Sequence, residues 1–439
     1  MWPHYPELLQ RPVPRYTSYP TAADFRTDVN AAAHEEALRT VKPCTPLSVY
    51  VHIPFCEDIC WYCGCNTARS NKRGRLSSYL DALYDEIRLV TGILNGNGEV
   101  GRISFGGGSP NALEPLEFVR LLGDVMIAFG AREPLISLEL DPRHLSDSWL
   151  NVIEAARITN VSMGVQTLDP AVQQGIGRIQ PADDVAVLTR RLRAAGVKSL
   201  NFDLMYGLPR QDLNSLLETL TQAVDMGPNR VALFGYAHVP SVVPRQRRID
   251  ASTLPGEEQR FAMAQAGYDF LTAAGYCAIG FDHFARPDDP LAIAAREHRL
   301  NRNFQGFTDD PAQHLIGLGA SSISQFPGLY VQNVKNAGIY RTMLAEGRLP
   351  TERGVVRDAK SRACGSLIRE ILCHGQAKLP RRISSTQLEQ LHEFARRGLI
   401  STGAGKLQLE PGAEPYARTI AAIFDPRLAV KAGRFSAPV

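Results

Sequence analysis

Apolar residues along this chain follow two alternating patterns. Compact apolar runs occupy 47–53, 102–105, 135–140, 161–165, 199–205, 230–236 and 277–281. Between them, at 77–94, 116–129, 147–156, 182–195, 213–226 and 256–274, apolar positions recur every three or four residues. The first pattern reads as strands and the second as amphipathic helices. Strand and helix in steady alternation predict a parallel sheet with crossover helices. Six or more such units suggest a closed or partly closed barrel, whose working residues gather at the carboxyl ends of its strands.

The flanks break this rhythm. Residues 1–44 are rich in Pro, Tyr, Thr and Ala, with one weak helical stretch near 31–41, and read as an N-terminal arm. The arm has few apolar residues at any regular period, so it is expected to add little to the core. The barrel is expected over 45–290. Residues 291–350 read as a connecting segment of mixed loops and helices that completes the catalytic domain. Residues 351–439 form a helical C-terminal domain. Its segments at 358–372 and 385–397, followed by a hairpin over 399–409, are winged-helix-like. Such modules often bind DNA, but mixed charge here points to a lid or packing role.

Composition narrows the class. The chain has 439 residues, 44% of them hydrophobic, which supports one large domain and a smaller second one. A formal net charge of +3 gives no case for a nucleic-acid partner. No apolar run approaches the roughly 18 residues of a membrane span. The Met-Trp-Pro-His start lacks a basic stretch followed by an apolar core, so a cytoplasmic enzyme is expected. Four of the eight cysteines fall within ten residues, which argues for a reducing compartment and a metal site.

Those four lie in His52-Ile-Pro-Phe-Cys56-Glu-Asp-Ile-Cys60-Trp-Tyr-Cys63-Gly-Cys65-Asn66. The C-x3-C-x2-C spacing of Cys56, Cys60 and Cys63 suits three irons of a cubane [4Fe–4S] cluster, leaving the fourth iron open to a substrate or cofactor. A disulfide set would need an oxidising compartment, and a zinc site would want a second ligand pair. Downstream, Gly106-Gly107-Gly108-Ser109-Pro110 follows a strand, where bare glycines let the backbone approach a ligand and offer N–H groups. Glu139 ends the third strand and is placed to accept both hydroxyls of a ribose, while Asp141 before Pro142 reads as a turn former. Gln166 ends the fourth strand. Asp203 lies inside the fifth, where a charge is costly unless it meets a cation or a ligand. Arg178 is a candidate carboxylate clamp. Residues 280–289 pack acids, His283 and Arg286 after the last strand, the polar density a binding loop needs. The run Pro14-Arg15-Tyr16-Thr17-Ser18-Tyr19-Pro20 suggests a docking arm.

The cysteine spacing resembles the radical S-adenosylmethionine (SAM) superfamily. Together with the runs 14–20, 106–110, 163–166, 203–209, 236–240 and 282–289, it closely resembles the oxygen-independent coproporphyrinogen III oxidases. The resemblance spans residues 14 to at least 335. It implies an α/β fold, an incomplete (β/α)6-type radical SAM barrel whose mouth is covered by the arm and the C-terminal domain. It implies a [4Fe–4S] cluster on Cys56, Cys60 and Cys63, and up to two SAM molecules. Tyr50, Gly107, Glu139, Ala237 and Ile323 would contact the first SAM; Tyr62, Gly108, Ser109, Gln166, Arg178 and Asp203 would surround the second. Cys65 would take part in catalysis without ligating the cluster, and Arg15, Tyr16 and Tyr19 would close the mouth over the reaction. The implied partners are a tetrapyrrole substrate and a reduced flavodoxin- or ferredoxin-like electron donor, with no nucleic acid and no membrane; the implied state is a monomer. The implied reaction turns two propionates of coproporphyrinogen III into vinyl groups. This chain departs from the family at Ser109, where threonine is common, at Ile179, where an acid is expected, and at Gly235, where asparagine is expected. Two other readings stay open: a haem-binding trafficking protein of the same superfamily, whose members usually lack the arm and the Cys65-Asn66 pair, and a radical SAM methyltransferase acting on a tetrapyrrole.

Overall fold

The structure, a computed structural model, describes residues 2–70 and 73–428, so the tail of the expected C-terminal domain, 429–439, lies outside the described residues. Its centre is one 12-stranded sheet. Six strands form the parallel part: β1 (Pro46–Ile53), β2 (Glu99–Gly107), β3 (Leu135–Leu140), β4 (Asn160–Gln166), β5 (Ser199–Tyr206) and β6 (Arg230–Gly235). The crossover helices are those the periodicity predicts, at Arg73–Leu94, Pro115–Ala128, Asp147–Ala155, Ala182–Ala194, Leu213–Asp225 and Glu257–Ala273. Side chains fix several helix starts: Ser146 accepts from the Trp149 N–H, and Asp212 from the Ser215 N–H. The sheet stays open, as an incomplete (β/α)6-type barrel does.

Burial alternates along β3 and β5. On β5, Leu200, Phe202, Leu204 and Tyr206 are buried, while the residues between them are only partly covered. The apolar face packs under the helices. The other face is polar, and register aligns it across strands: Tyr50 lies opposite Ser104, Ser104 opposite Ser137, Glu139 opposite Ser162, and Ser162 opposite Asn201. An eight-stranded barrel fills its interior with branched side chains. Here the inner face instead lines a small polar cavity of about 140 Å³.

Two expectations need correcting. The run 277–281 is not a seventh parallel strand. It is the short edge strand β7 (Cys277–Ile279), which pairs antiparallel with β8 (His283–Ala285); Gly280, at φ 63°, turns the chain back. The segment 291–350 is not merely loops and helices. It supplies β9 (His314–Leu318), β10 (Ile323–Phe326) and β11 (Leu329–Asn333), which continue to β12 (Thr351–Val356), and β9 pairs parallel with β1. These strands are short and interrupted by Gly and Ser, so their period is hard to read.

The C-terminal part is winged-helix-like, with helices Ala359–His374 and Ser385–Arg396 and a three-stranded sheet that includes Ile400–Gly403 and Lys406–Leu409. It has its own core, and the arm belongs to it: Leu8, Val13, Tyr16 and Tyr19 pack with Ile371, Leu391, Phe394 and Ile420. The expectation that the arm adds little to the core is therefore overturned. Its apolar residues are spaced irregularly because they follow an extended path over another domain's surface, which leaves no periodic trace. Among the described residues, no helix is long and apolar enough to cross a membrane.

Candidate functional site

Cys56 closes a two-residue strand, Phe55–Cys56, that leaves the end of β1. The loop beyond it is pinned from several sides. Ser70 N–H donates to the Cys56 carbonyl (2.9 Å), and Trp61 N–H to the Ile176 carbonyl (3.0 Å). Gln246 donates to the Tyr62 carbonyl (3.0 Å), and Arg245 to the Thr67 hydroxyl (2.9 Å). The loop is thus held from several sides by hydrogen bonds.

Cys60 Sγ receives N–H groups from two arginines, Arg143 at 3.4 Å and Arg178 at 3.3 Å. Between them stands Asp141, whose carboxylate pairs with Arg143 (2.6 Å) and Arg178 (3.0 Å). Asp141 also caps the turn after β3 by accepting from the Arg143 N–H. The turn-former reading was right but incomplete. Although burial alone raises its pKa, the bond from Arg143 and the charge of Arg178 bring Asp141 down to about 2. Burial raises the Cys56 thiol to about 12, with the neighbouring Cys63 and Cys60 adding to it. Cys65 acts the other way: its thiol and its N–H, 3.4 Å from Cys63 Sγ, favour thiolate at Cys63.

Among the described residues, no three His, Cys, Asp or Glu side chains are placed to hold a single metal ion. A [4Fe–4S] cluster takes one thiolate per iron, and three neighbouring thiols with arginine N–H groups at one sulfur suit it.

The glycine turn packs tightly against this loop. A Cβ on Gly108 would lie 2.4 Å from the Phe55 carbonyl oxygen, and one on Gly107 would meet the His52 ring at 2.4 Å. The turn's N–H groups are not offered to a ligand: Gly107 donates to Glu139 (3.0 Å), Gly108 to the Ile53 carbonyl (2.8 Å) and Ser109 to the Phe55 carbonyl (2.8 Å). The Ser109 hydroxyl is likewise committed, bonded to Asn111 and accepting from Asp141 N–H (3.1 Å). The glycines of the turn are needed for this close packing.

Glu139 faces the cavity on the inner side of the sheet, near Tyr50, and desolvation there raises its pKa to about 7. Tyr50 bonds to His52 Nδ1 at 3.1 Å. Tyr50, Gly107 and Glu139 therefore sit together on β1–β3. Ala237 follows β6 and Ile323 begins β10, so these two stand on the flanks of the parallel set.

Arg178 is buried, not solvated. Its guanidinium serves Gln180 through Nε, Cys60 and Asp141 through Nη1, and Asp141 and the Gly164 carbonyl through Nη2. All five N–H groups are spent, so in this conformation it clamps Asp141 and not a free ligand. Together with Gln180, which donates to the Val165 carbonyl, it holds the end of β4, where the register shifts and Gln166 takes φ 66°. Asp203 forms no ion pair at contact distance among the described residues, although the charges of His283 and Arg178 reach it. It accepts from Ser162 (3.1 Å) and Asn201 (2.8 Å), and burial raises its pKa.

The arm divides between two tasks. Arg15 reaches the barrel mouth, donating to the Gly235 carbonyl (3.0 Å). Tyr16 and Tyr19 do not close that mouth, as the sequence had suggested. Tyr16 donates to Asp425 at 3.1 Å, and Tyr19 is buried against the same carboxylate. Asp289, expected in a binding loop, is consumed by Arg230 (2.8 Å) and by capping the helix Pro290–Arg296. The sequence reading missed Arg260 and Arg418, which join Arg15 around a cavity of about 320 Å³ at the mouth. Asp282 and Glu414 also face this cavity, so its basic surplus is one charge. Nothing in the local sequence marks Arg418, which comes from a helix of the C-terminal part.

A partly buried cysteine loop of this kind at the carboxyl end of an open parallel barrel defines a radical SAM protein. The superfamily's model matches residues 50–223. An oxygen-independent coproporphyrinogen III oxidase of Cereibacter sphaeroides is 37% identical over 429 residues, covering 95% of each chain. One of Pseudomonas aeruginosa is 36% identical, covering 94% of this chain and 93% of its own. The solved structure of coproporphyrinogen III oxidase from Escherichia coli, described as a radical SAM enzyme, superposes with a TM-score of 0.90 at 33% identity, covering 97% and 99% of the two chains. This chain belongs to the oxygen-independent coproporphyrinogen III oxidase family. It is an oxidoreductase that uses a [4Fe–4S] cluster and SAM.

Proposed function

We propose that the protein converts coproporphyrinogen III to protoporphyrinogen IX, each of two propionates losing a β-hydrogen atom to the 5′-deoxyadenosyl radical, carbon dioxide, and one electron to an external one-electron acceptor, to leave a vinyl group. One observation carries the reading: the cysteine loop adjoins a cavity whose surplus charge is basic. Gln246 bonds at once to Tyr62 of the loop (3.0 Å) and to Ala237 of the cavity wall (3.1 Å). A polycarboxylate substrate needs that charge beside the radical source.

When bound, the cluster on Cys56, Cys60 and Cys63 supplies the electron that cleaves SAM to methionine and a 5′-deoxyadenosyl radical. Glu139, near neutrality in its pKa, accepts the ribose hydroxyls, with Tyr50 beside it. Arg15, Arg260 and Arg418 orient substrate carboxylates, and Tyr236 and Phe281 flank the macrocycle. The arm and the C-terminal part cover the mouth and keep water from the carbon radical. Cys65 serves turnover without ligating iron. A reduced flavodoxin- or ferredoxin-like protein supplies the electrons.

The test is an anaerobic assay of the reconstituted protein with SAM, a reduced donor and coproporphyrinogen III. The expected products are protoporphyrinogen IX and two carbon dioxide per turnover. A protein that cleaves SAM and binds haem but yields no vinyl product would belong to the trafficking class instead.

A further inference from the structure

Behind the arm lies a second cavity, of about 300 Å³, walled by the arm, by the segment leading to β12 and by the helix Ala359–His374. Four arginines line it: Arg302, Arg357, Arg362 and Arg369. No Asp or Glu lines it, and none of the four forms an ion pair with a described residue. Nearby carboxylates are committed elsewhere: Asp425 to Tyr16 (3.1 Å), Glu370 to Ser366 (3.2 Å) and Asp282 to His283 (2.6 Å).

The guanidiniums of Arg302 and Arg357 are held in place but only partly bonded, while Arg362 and Arg369 are more exposed, Arg369 reaching the Ser366 hydroxyl at 3.5 Å. Arg357 lies 4.5 Å over the Tyr330 ring and donates one N–H to the Pro327 carbonyl (3.3 Å). Arg362 donates to the Arg357 carbonyl (2.8 Å). Arg302 holds the Tyr16 and Arg15 carbonyls at 3.0 and 3.2 Å. Arg302 Nη1 and Arg357 Nε are buried with no partner. Unpaired buried donors on like-charged groups are costly. Burial, with the charges of Arg369 and Arg362, already depresses the Arg357 pKa. An anion would satisfy both donors and cancel the repulsion.

We propose that this cavity is an oxyanion-binding site, taking a carboxylate or phosphate group in the fork geometry that arginine favours. The group comes either from a propionate of the tetrapyrrole, which rests on the function proposed above, or from a free small anion. Occupancy bears on the mouth cavity through Arg302. Its guanidinium stands 5.1 Å over the Phe281 ring of that cavity while clamping the backbone that carries Arg15.

The test uses the full-length protein with Arg357→Gln, Arg362→Gln and Arg369→Gln combined, and Arg369→Gln alone as a milder variant. Binding of inorganic phosphate is measured by calorimetry and by thermal shift, and binding of coproporphyrin III, a stable tetracarboxylate, by fluorescence. A free-anion source predicts that phosphate raises the melting temperature of the wild type but not of the triple variant, with porphyrin affinity unchanged. A substrate source predicts that porphyrin affinity falls about tenfold in the triple variant and less in the single one. The phosphate measurement needs neither cluster nor SAM, so it stands even if the proposed reaction fails. Unchanged binding of both ligands overturns the site. So does a variant that loses only turnover driven by a protein electron donor, because the arginines would then form a docking surface for that donor.

Discussion

Arg178 and Asp141 form a bidentate pair at the cysteine loop, Nη2 to Oδ1 at 3.0 Å and Nη1 to Oδ2 at 3.3 Å. The same Nη1 reaches Cys60 Sγ at 3.3 Å. A residue that the sequence assigns to a second SAM thereby contacts Cys60, one of the three proposed cluster ligands.

Arg178→Ala is therefore expected to disturb more than one site. It leaves Asp141 short of a charge partner and Cys60 short of a donor, a loss of about 3 kcal/mol for a broken buried pair. The cluster should bleach faster under chelator, and SAM affinity should fall along with turnover. Arg178→Lys should not restore either, since one ammonium cannot serve five acceptor contacts. Iron content and visible absorbance against time would check this. A variant with normal cluster lifetime would return Arg178 to a purely ligand-binding role.

The two halves of the arm should separate by mutation. Tyr16→Phe removes the bond to buried Asp425 and should cost about 1–3 kcal/mol of stability with cluster content unchanged. Arg15→Ala should barely move the melting temperature but should abolish most product formation. Removing residues 1–22 should do both, because Leu8, Val13, Tyr16 and Tyr19 belong to the C-terminal core. Denaturant unfolding beside the anaerobic assay reads both effects.

Cys56→Ser, Cys60→Ser and Cys63→Ser should each lose the iron–sulfur absorbance. Cys65→Ser should keep it and lose turnover, since Cys65 is exposed and touches Cys63 through its N–H. Reconstitution followed by iron and sulfide analysis distinguishes the four. Absence of a cluster in the Cys65 variant would mean that the ligand set is misassigned.

Glu86 should make stability depend on pH. It is fully buried and accepts from Gly319 N–H (2.6 Å), Asn333 (2.6 Å) and the Tyr340 hydroxyl (2.5 Å). Burial raises its pKa to about 7 from an ordinary 4.5. Between those values the folded state binds more protons than the unfolded one, so stability falls as pH rises through this window and stays lower above it. The loss is on the order of 3 kcal/mol. Glu86→Gln, whatever its absolute stability, should show a flatter change in denaturation midpoint between pH 5 and pH 7.5.

The sequence by itself determined the parallel strands and their helices, because each repeats a local period that burial enforces: Leu200, Phe202 and Leu204 inward on β5, polar residues between. It also singled out Cys56, Cys60 and Cys63, because the spacing of the proposed cluster ligands is local, and Glu139 near a strand end. Tertiary structure decided the rest. That Asp141 joins Arg178, 37 positions away, follows from how β3 and β4 lie side by side. That Tyr16 packs on Asp425, 409 positions away, follows from the arm's path across another domain. Arg15, Arg260 and Arg418 meet only because the C-terminal part folds over the barrel mouth. Such pairings have no period along the chain. They are set by which surfaces must be buried against each other once the local elements have formed.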